Sequence, residues 1–141
     1  MSSPGQPHHL VSEADPRMPF PHSVTPTACR SNYALFAHNH GDSVEDTDGR
    51  IAQANAACRV CTLAADCLKW ALANPQLTPN GIWAATTPRQ RTTLRQRLVA
   101  RLGRDWVAVV AEHDRRRSEA HRQRVPAVRA QSGRRASHKN P

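Results

Sequence analysis

The stretch CRVCTLAADC, residues 58–67, contains three of the four cysteines of this 141-residue chain. The fourth, Cys29, completes the pattern C-x28-C-x2-C-x5-C. A local group of three thiols with one distant partner supplies the four ligands that a tetrahedral metal ion or an iron–sulfur cluster needs. We therefore expect one metal centre to be bound by Cys29, Cys58, Cys61 and Cys67, and its binding to contribute to folding.

The spacing leaves three interpretations of these cysteines open. A zinc ion held by four thiolates is common in small domains, but such sites usually pair two short C-x2-C segments and this chain has one. A [4Fe–4S] cluster suits three nearby thiolates and one distant thiolate. Disulfides are the third interpretation, and the reducing cytosol argues against them. His38 and His40 are predicted to lie in a solvated loop rather than to act as ligands.

Composition limits the size of the core and points to an acidic partner. Only 38% of the residues are hydrophobic and 4% are aromatic, so a small core is expected to need the metal centre as a staple. Residues 1–88 carry five basic and seven acidic side chains, whereas residues 89–141 carry fifteen basic and four acidic ones. A basic C-terminal third favours nucleic acid or an acidic protein surface as a partner.

The sequence has no long apolar run, so no membrane span is predicted. The N-terminus lacks the basic start and apolar stretch of a secretory signal, and a cytoplasmic location is expected.

The predicted fold class is all-α, a small domain of about four short helices organised around the cysteine site. Ile51, Ala54, Asn55 and Cys58 have helical spacing and are expected to share an inward face. The helices are predicted over residues 31–38, from a cap at Asp46 or Thr47 to Cys58, from a cap at Thr62 to Asn74, from Thr87 and Pro88 to Leu102, and from Asp105 onwards.

Three regions are predicted along the chain. Residues 1–27, rich in Pro, Ser and His, are expected to form a flexible leader. Residues 28–103 form the cysteine-containing domain. Residues 104–141 form a basic tail that is helical at first and is expected to be disordered from Pro126 onwards.

Two further motifs follow the cysteines. Trp70 lies one helical turn beyond Cys67, where it is expected to shield the site or to pack in the core, and the turn Gly81-Ile82-Trp83 precedes an arginine-rich helix. With these motifs, residues 29–97 resemble the WhiB-like family of actinobacterial and actinophage transcription regulators. The resemblance implies that the four cysteines ligate a [4Fe–4S] cluster sensitive to oxygen or nitric oxide. It also implies that the turn docks onto the C-terminal region, region 4, of the principal sigma factor of RNA polymerase, and that the basic segment binds promoter DNA.

The predicted partner-binding residues are Gly81, Ile82, Trp83 and Phe36. Trp83 is the expected anchor, since an exposed aromatic side chain on a turn is typical of interfaces. The alternatives are that Trp83 folds inward over the metal centre and that Phe36 packs in the core. Alanines 84 and 85 stand where the family usually has two glycines. Because alanine resists the positive φ angles that glycine permits, a reshaped turn is expected.

The predicted DNA-binding residues lie on two basic segments. Because no motif for reading bases is present, contacts with the phosphate backbone and a strong salt dependence are expected. The residues are Arg89, Arg91, Arg95, Arg97, Arg115, Arg116 and Arg117.

Taken together, these features predict a non-enzymatic regulator in which damage to the cluster alters promoter occupancy. One alternative is a thiol–disulfide reductase, in which Cys58 and Cys61 of the cluster-free form cycle through a disulfide. The other is a DNA-binding module stapled by zinc, without redox function.

Overall fold

The computed structural model describes residues 13–37, 41 and 43–136. Over these residues the chain forms six helices and no strand, and the sole β-type pairing is an isolated bridge between Trp83 and Thr86. The prediction of an all-α fold is confirmed, with six helices in place of about four. The helices are α1 Ala28–Ser31, α2 Tyr33–Phe36, α3 Val44–Arg59, α4 Ala64–Ala73, α5 Pro88–Leu102 and α6 Trp106–Ala136.

Helix α5 begins and ends where the sequence predicts. The Thr87 hydroxyl accepts a hydrogen bond from the Gln90 amide at 3.3 Å, and the Gln90 side chain accepts one from the Thr87 amide at 2.9 Å. This reciprocal pair is a capping box, and Pro88 follows it at the first helical position. Gly103 caps the other end with a φ of 91°. Local capping chemistry therefore determines both ends of this helix.

The starts of α3 and α4 differ from the predicted ones. Ser43 rather than Asp46 or Thr47 caps α3, because its hydroxyl accepts a hydrogen bond from the Asp46 amide at 3.1 Å. Helix α4 follows Leu63 rather than Thr62, and its first residue has no side-chain cap.

The helix predicted over residues 31–38 is replaced by two short helices, α1 and α2. They meet at Asn32, which has the non-helical angles φ −137° and ψ 68°.

The described part of the leader, residues 13–27, contributes to the core, which corrects the prediction of flexibility for that part. Met18 is only 4% exposed and packs with Leu72, Trp106 and Val107. The Asp15 amide donates a hydrogen bond to the side-chain oxygen of Asn74 at 2.7 Å. Met18 and this hydrogen bond both help to hold the described part of the segment, although its composition is that of a flexible chain.

A second small core lies beside the cysteines. Phe36, Ala54 and Ile82 are buried together, and Ile51 and Cys58 pack against them. Helix α3 thus presents its predicted face inward. Because this core includes a cysteine, the packing of α3 positions one of the candidate ligands.

Helix α6 belongs to the domain at its beginning and extends beyond it. Trp106 and Val107 lie in the first core, and Lys69 on α4 forms an ion pair with Asp114 at 2.9 Å. The helix continues past Pro126, where the sequence predicted disorder, to Ala136. In the described part of the chain, no helix has both the length and the apolar character that crossing a membrane requires.

Candidate metal centre

The four cysteines come from four different positions in the fold and line a single cavity of about 660 Å³. Cys29 lies on α1, Cys58 near the end of α3, Cys61 in the short connection to α4, and Cys67 on α4. All four are free thiols, as the metal-site hypothesis requires. Among the described residues, no three His, Cys, Asp or Glu side chains are grouped closely around one point suited to a metal ion.

The connection between α3 and α4 folds the C-x2-C segment into a tight turn. The Cys61 amide donates a hydrogen bond to the Cys58 carbonyl at 3.1 Å, and the Ala64 amide donates one to the Cys61 carbonyl at 3.3 Å. Two consecutive turns of this kind bring both cysteines to the wall of the cavity. Cys67 then reaches the same cavity from the first turns of α4.

Burial affects the cysteines unequally. Burial raises the pKa of Cys67 to about 11 and also raises the pKa of Cys58. The backbone amides of Ala84 and Ala85 near Cys58, and that of Ala84 near Cys67, offset part of this rise in pKa. Binding a metal to such thiols displaces their protons. Two half-buried sulfurs near backbone amides are therefore placed where those amides favour the thiolate that a metal needs.

Aromatic side chains enclose the cavity. Phe20 and Trp83 both line it, and Trp70 contacts both of them from behind. The ring centres of Trp70 and Phe20 are 4.8 Å apart at 89°, and those of Trp70 and Trp83 are 5.5 Å apart at 34°. Of the two roles expected for Trp70, packing inside the domain is the one found: it is buried, and it contacts two residues that line the cavity without lining the cavity itself. No role at the site was predicted for Phe20 from the sequence. The apolar segment Met-Pro-Phe, residues 18–20, was the feature that could have indicated one.

Residues 81–86 form a turn that keeps left-handed conformations despite two alanines. Gly81 has a φ of 75°, and a β-carbon there would lie 2.6 Å from the Phe36 carbonyl oxygen. Ala84 and Ala85 have φ angles of 50° and 60°. Alanine resists positive φ, and the expectation of a reshaped turn rested on that resistance. In this chain the two alanines adopt positive φ angles all the same.

Burial changes the predicted partner-binding set. Phe36 and Ile82 are 6% and 8% exposed and belong to the second core, so the prediction that they contact a partner is corrected. Trp83 is half-buried, with its ring against Trp70 and the cavity. Trp83 therefore folds partly inward, as one of the two alternatives predicted. The part of its side chain that remains accessible stays a candidate for partner contact.

The predicted basic strip on α5 divides into two groups. Arg91 is fully buried and Arg95 is half-buried, with the Arg95 guanidinium donating to the Leu72 and Ala71 carbonyls at 2.9 Å. Both side chains are directed into the domain, so the prediction that they bind phosphate is corrected. Arg89 and Arg97 are exposed on the same helix.

The predicted basic residues of α6 are all exposed, but they differ in their partners. Arg115 pairs with Glu112 at 2.8 Å and Glu119 at 2.6 Å, and Arg116 pairs with Glu112 at 3.0 Å. Hydrogen bonding from Arg115 lowers the pKa of Glu112 to about 2. Arg117 forms no ion pair with the residues that the structure describes. His38 and His40, predicted in a solvated loop, lie outside the described residues.

Comparison with known proteins agrees with this geometry. The sequence profile of the family described as "Transcription factor WhiB" matches residues 24–94, about half of the chain. This chain belongs to the WhiB family. The matched region contains all four cysteines, the turn at residues 81–86 and the first half of α5, and it ends before α6. Membership of the WhiB family identifies a transcription factor. Neither the curated proteins nor the solved structures give a significant match.

Proposed function

We propose that this WhiB-family chain is a non-enzymatic, cytoplasmic transcription regulator whose four cysteines bind a [4Fe–4S] cluster. The observation that carries the proposal is the single cavity of about 660 Å³ lined by all four thiols. That volume exceeds the roughly 30 Å³ occupied by one water molecule many times over, so it has room for a group larger than a single ion. An all-sulfur donor set is the set that iron–sulfur clusters use.

The residues of the chain would perform distinct tasks at this site. Cys29, Cys58, Cys61 and Cys67 would hold the cluster, which when bound would supply reactivity toward oxygen or nitric oxide. The amides of Ala84 and Ala85 would donate to ligand sulfurs, and Trp83 and Phe20 would limit access of water. Because α1, α3 and α4 each contribute cysteines, release of the ligands would loosen the contacts between these helices.

The proposed protein partner is region 4 of the principal sigma factor, contacted through the turn at residues 81–86. The support is the position of Trp83, which joins the wall of the cavity to the surface of the turn. A change in the cluster would therefore act directly on the proposed contact residue. The proposed nucleic-acid contacts are the exposed arginines Arg89, Arg97 and Arg115–Arg117, directed to phosphates.

The pKa values of the thiols give less support to a reductase function. A reactive cysteine needs a low pKa, since the thiolate is the nucleophile. Burial instead raises the pKa of Cys58, a member of the C-x2-C pair. Failure of the metal-free chain to reduce insulin disulfides is the expected result, and reduction comparable to that of a thioredoxin would contradict the proposal.

The cofactor is tested by anaerobic purification of the full chain. We expect a brown protein with about four iron and four sulfide per chain. Each Cys→Ser variant at the four positions should lose the visible absorption, whereas Ser31→Ala, on the same helix as Cys29, should retain it. A colourless protein containing one zinc would support the zinc-stapled alternative instead.

The partner is tested separately with Trp83→Ala. This variant should lose co-purification with the sigma-factor region and keep its iron, and Tyr33→Ala, which removes another exposed aromatic side chain lining the cavity, serves as the control. If binding survives in Trp83→Ala, Trp83 is not the anchor.

A further inference from the structure

Arg91 is the largest side chain of the described residues that is fully buried. Sequence alone places it in a basic helix, yet among the described residues it has no carboxylate partner. Its guanidinium donates instead to backbone carbonyls of the segment at residues 78–86. The distances are 3.1 Å to Gly81, 2.7 Å to Thr86, 3.0 Å to Thr78 and 3.2 Å to Asn80.

Burying a guanidinium without a counter-ion costs free energy, so the buried position of Arg91 calls for a structural role that offsets this cost. Burial, with a smaller contribution from Arg95, lowers the pKa of Arg91 to about 10, which leaves the side chain charged at neutral pH. Hydrogen bonds from a charged donor to carbonyl oxygens are stronger than those between neutral groups. One side chain thus fixes four carbonyl groups along nine residues.

The structural role of these hydrogen bonds lies in the turn at residues 81–86. Ala84 and Ala85 have φ angles of 50° and 60°, a conformation that costs an alanine roughly 1–2 kcal/mol each. The turn is closed by paired hydrogen bonds between Trp83 and Thr86, at 3.2 Å and 2.9 Å. Arg91 binds the Gly81 carbonyl before the two alanines and the Thr86 carbonyl after them. The two ends of the strained segment are therefore attached to the same guanidinium.

The same conformation directs the turn toward the cysteines. With residues 84 and 85 in the left-handed region, the Ala84 amide lies near the sulfurs of Cys58 and Cys67 and the Ala85 amide near that of Cys58, close enough to favour the thiolates. Rotation of Ala84 to an ordinary negative φ would reorient the following peptide group, which carries the Ala85 amide, relative to the preceding part of the turn.

We propose that Arg91 is a positioning residue that holds Ala84 and Ala85 in their left-handed conformation and so aims their amides at the cysteine site. Arg91 touches neither the cluster nor the partner in this mechanism, and acts through the backbone of the turn. Only one consequence of the inference rests on the proposed function, namely that the accessible surface of Trp83 keeps its shape for a partner.

The test compares Arg91→Lys, the pair Ala84→Gly with Ala85→Gly, and the triple combination in the full-length chain. Arg89→Lys, an exposed arginine two residues earlier on the same helix, is the control. The measurement is amide hydrogen exchange of the segment at residues 78–86, corrected for intrinsic rates, with the buried part of α3 as the reference.

Arg91→Lys should accelerate exchange of the turn at least about tenfold while α3 changes little, since lysine cannot bind four carbonyls at once. The glycine pair should slow that exchange again by about tenfold in the Arg91→Lys background, because glycine has no left-handed penalty. Arg89→Lys should match the wild type.

Two results would overturn the proposal. One is unchanged exchange of the turn in Arg91→Lys, and the other is a triple variant that exchanges as fast as Arg91→Lys alone. If Arg91→Lys does not fold, the triple variant is the deciding measurement. Recovery of folded protein in the triple variant supports the mechanism, and continued failure to fold contradicts it. The exchange measurement needs no sigma factor and no particular metal, so it remains decisive even if the proposed function is wrong.

Discussion

The indole rings of Trp70 and Trp83 lie with their centres 5.5 Å apart and their planes tilted by 34°. Trp70 comes from the buried side of α4, one helical turn beyond Cys67, and Trp83 comes from the turn that closes the cavity. The contact therefore joins a ligand-bearing helix to the proposed partner surface. A shift of α4 after loss of a ligand would reach Trp83 through this ring pair.

The left-handed alanines predict an unusual gain in stability from glycine. Ala84→Gly and Ala85→Gly should each raise the free energy of unfolding by about 0.5–1 kcal/mol, because relief of backbone strain exceeds the entropy that glycine costs. Chemical denaturation of the variants and the unmodified chain under identical conditions measures this change. Ala100→Gly, at an exposed position of α5, should lower the same free energy by about 0.5–1 kcal/mol. Equal losses at all three positions would show that residues 84 and 85 are not strained.

Gly81 should tolerate no side chain. Gly81→Ala places a β-carbon 2.6 Å from the Phe36 carbonyl oxygen at a positive φ, and that oxygen belongs to the backbone, so it cannot rotate out of the way as a flexible side chain could. We expect a loss of about 2 kcal/mol or more in the free energy of unfolding. Gly49→Ala is the matched control, because its β-carbon would meet open space on α3, and it should stabilise the chain by about 1 kcal/mol. A neutral Gly81→Ala variant would mean that Phe36 and the turn are not in contact.

The docked leader predicts a core role for Met18. Met18→Ala should lower the free energy of unfolding by about 2–5 kcal/mol, as expected for a buried methionine in contact with Leu72 and Trp106. Val24→Ala, at a side chain that is 96% exposed in the same leader, should change it by less than about 0.5 kcal/mol. Thermal unfolding of the two variants gives the comparison, and equal midpoints would contradict the packing of the leader.

Binding of DNA should distinguish exposed from inward-facing arginines. Arg117→Gln, which removes an exposed charge, should reduce the slope of log affinity against log salt concentration by about 0.9. Arg95→Gln should leave the slope unchanged, since the Arg95 guanidinium is bound to the Ala71 and Leu72 carbonyls. Fluorescence anisotropy with duplex DNA at several salt concentrations measures both slopes. A lower slope in Arg95→Gln alone would reverse the assignment.

Local signals made several features predictable. The capping box at Thr87 and the glycine at 103 placed α5 to the residue, because the hydrogen bonds involved lie within a few positions of each other. The inward face of α3 followed from helical spacing alone. Where several local caps competed, as at the start of α3, the sequence did not rank Ser43 above Asp46 or Thr47.

The features that the sequence misplaced depend on contacts between distant segments. Arg91 and Arg89 look alike in a basic helix, but one is fully buried and the other exposed. The difference arises because the carbonyls of residues 78–86 face one side of α5. Met18 was assigned to a flexible leader since nothing near it in sequence shows that Leu72 and Trp106 leave a space for its side chain.

By itself, then, the sequence determined the all-α class, both ends of α5 and the cysteines that supply the candidate ligands. It did so because caps, helical periodicity and ligand chemistry act over short stretches of chain. Only the tertiary structure decided which arginines remain free for phosphate, how Trp83 is oriented and whether two alanines adopt left-handed angles. Those outcomes depend on carbonyls, rings and a guanidinium brought together from separate segments, and a local preference of about 1 kcal/mol is smaller than the contacts that override it.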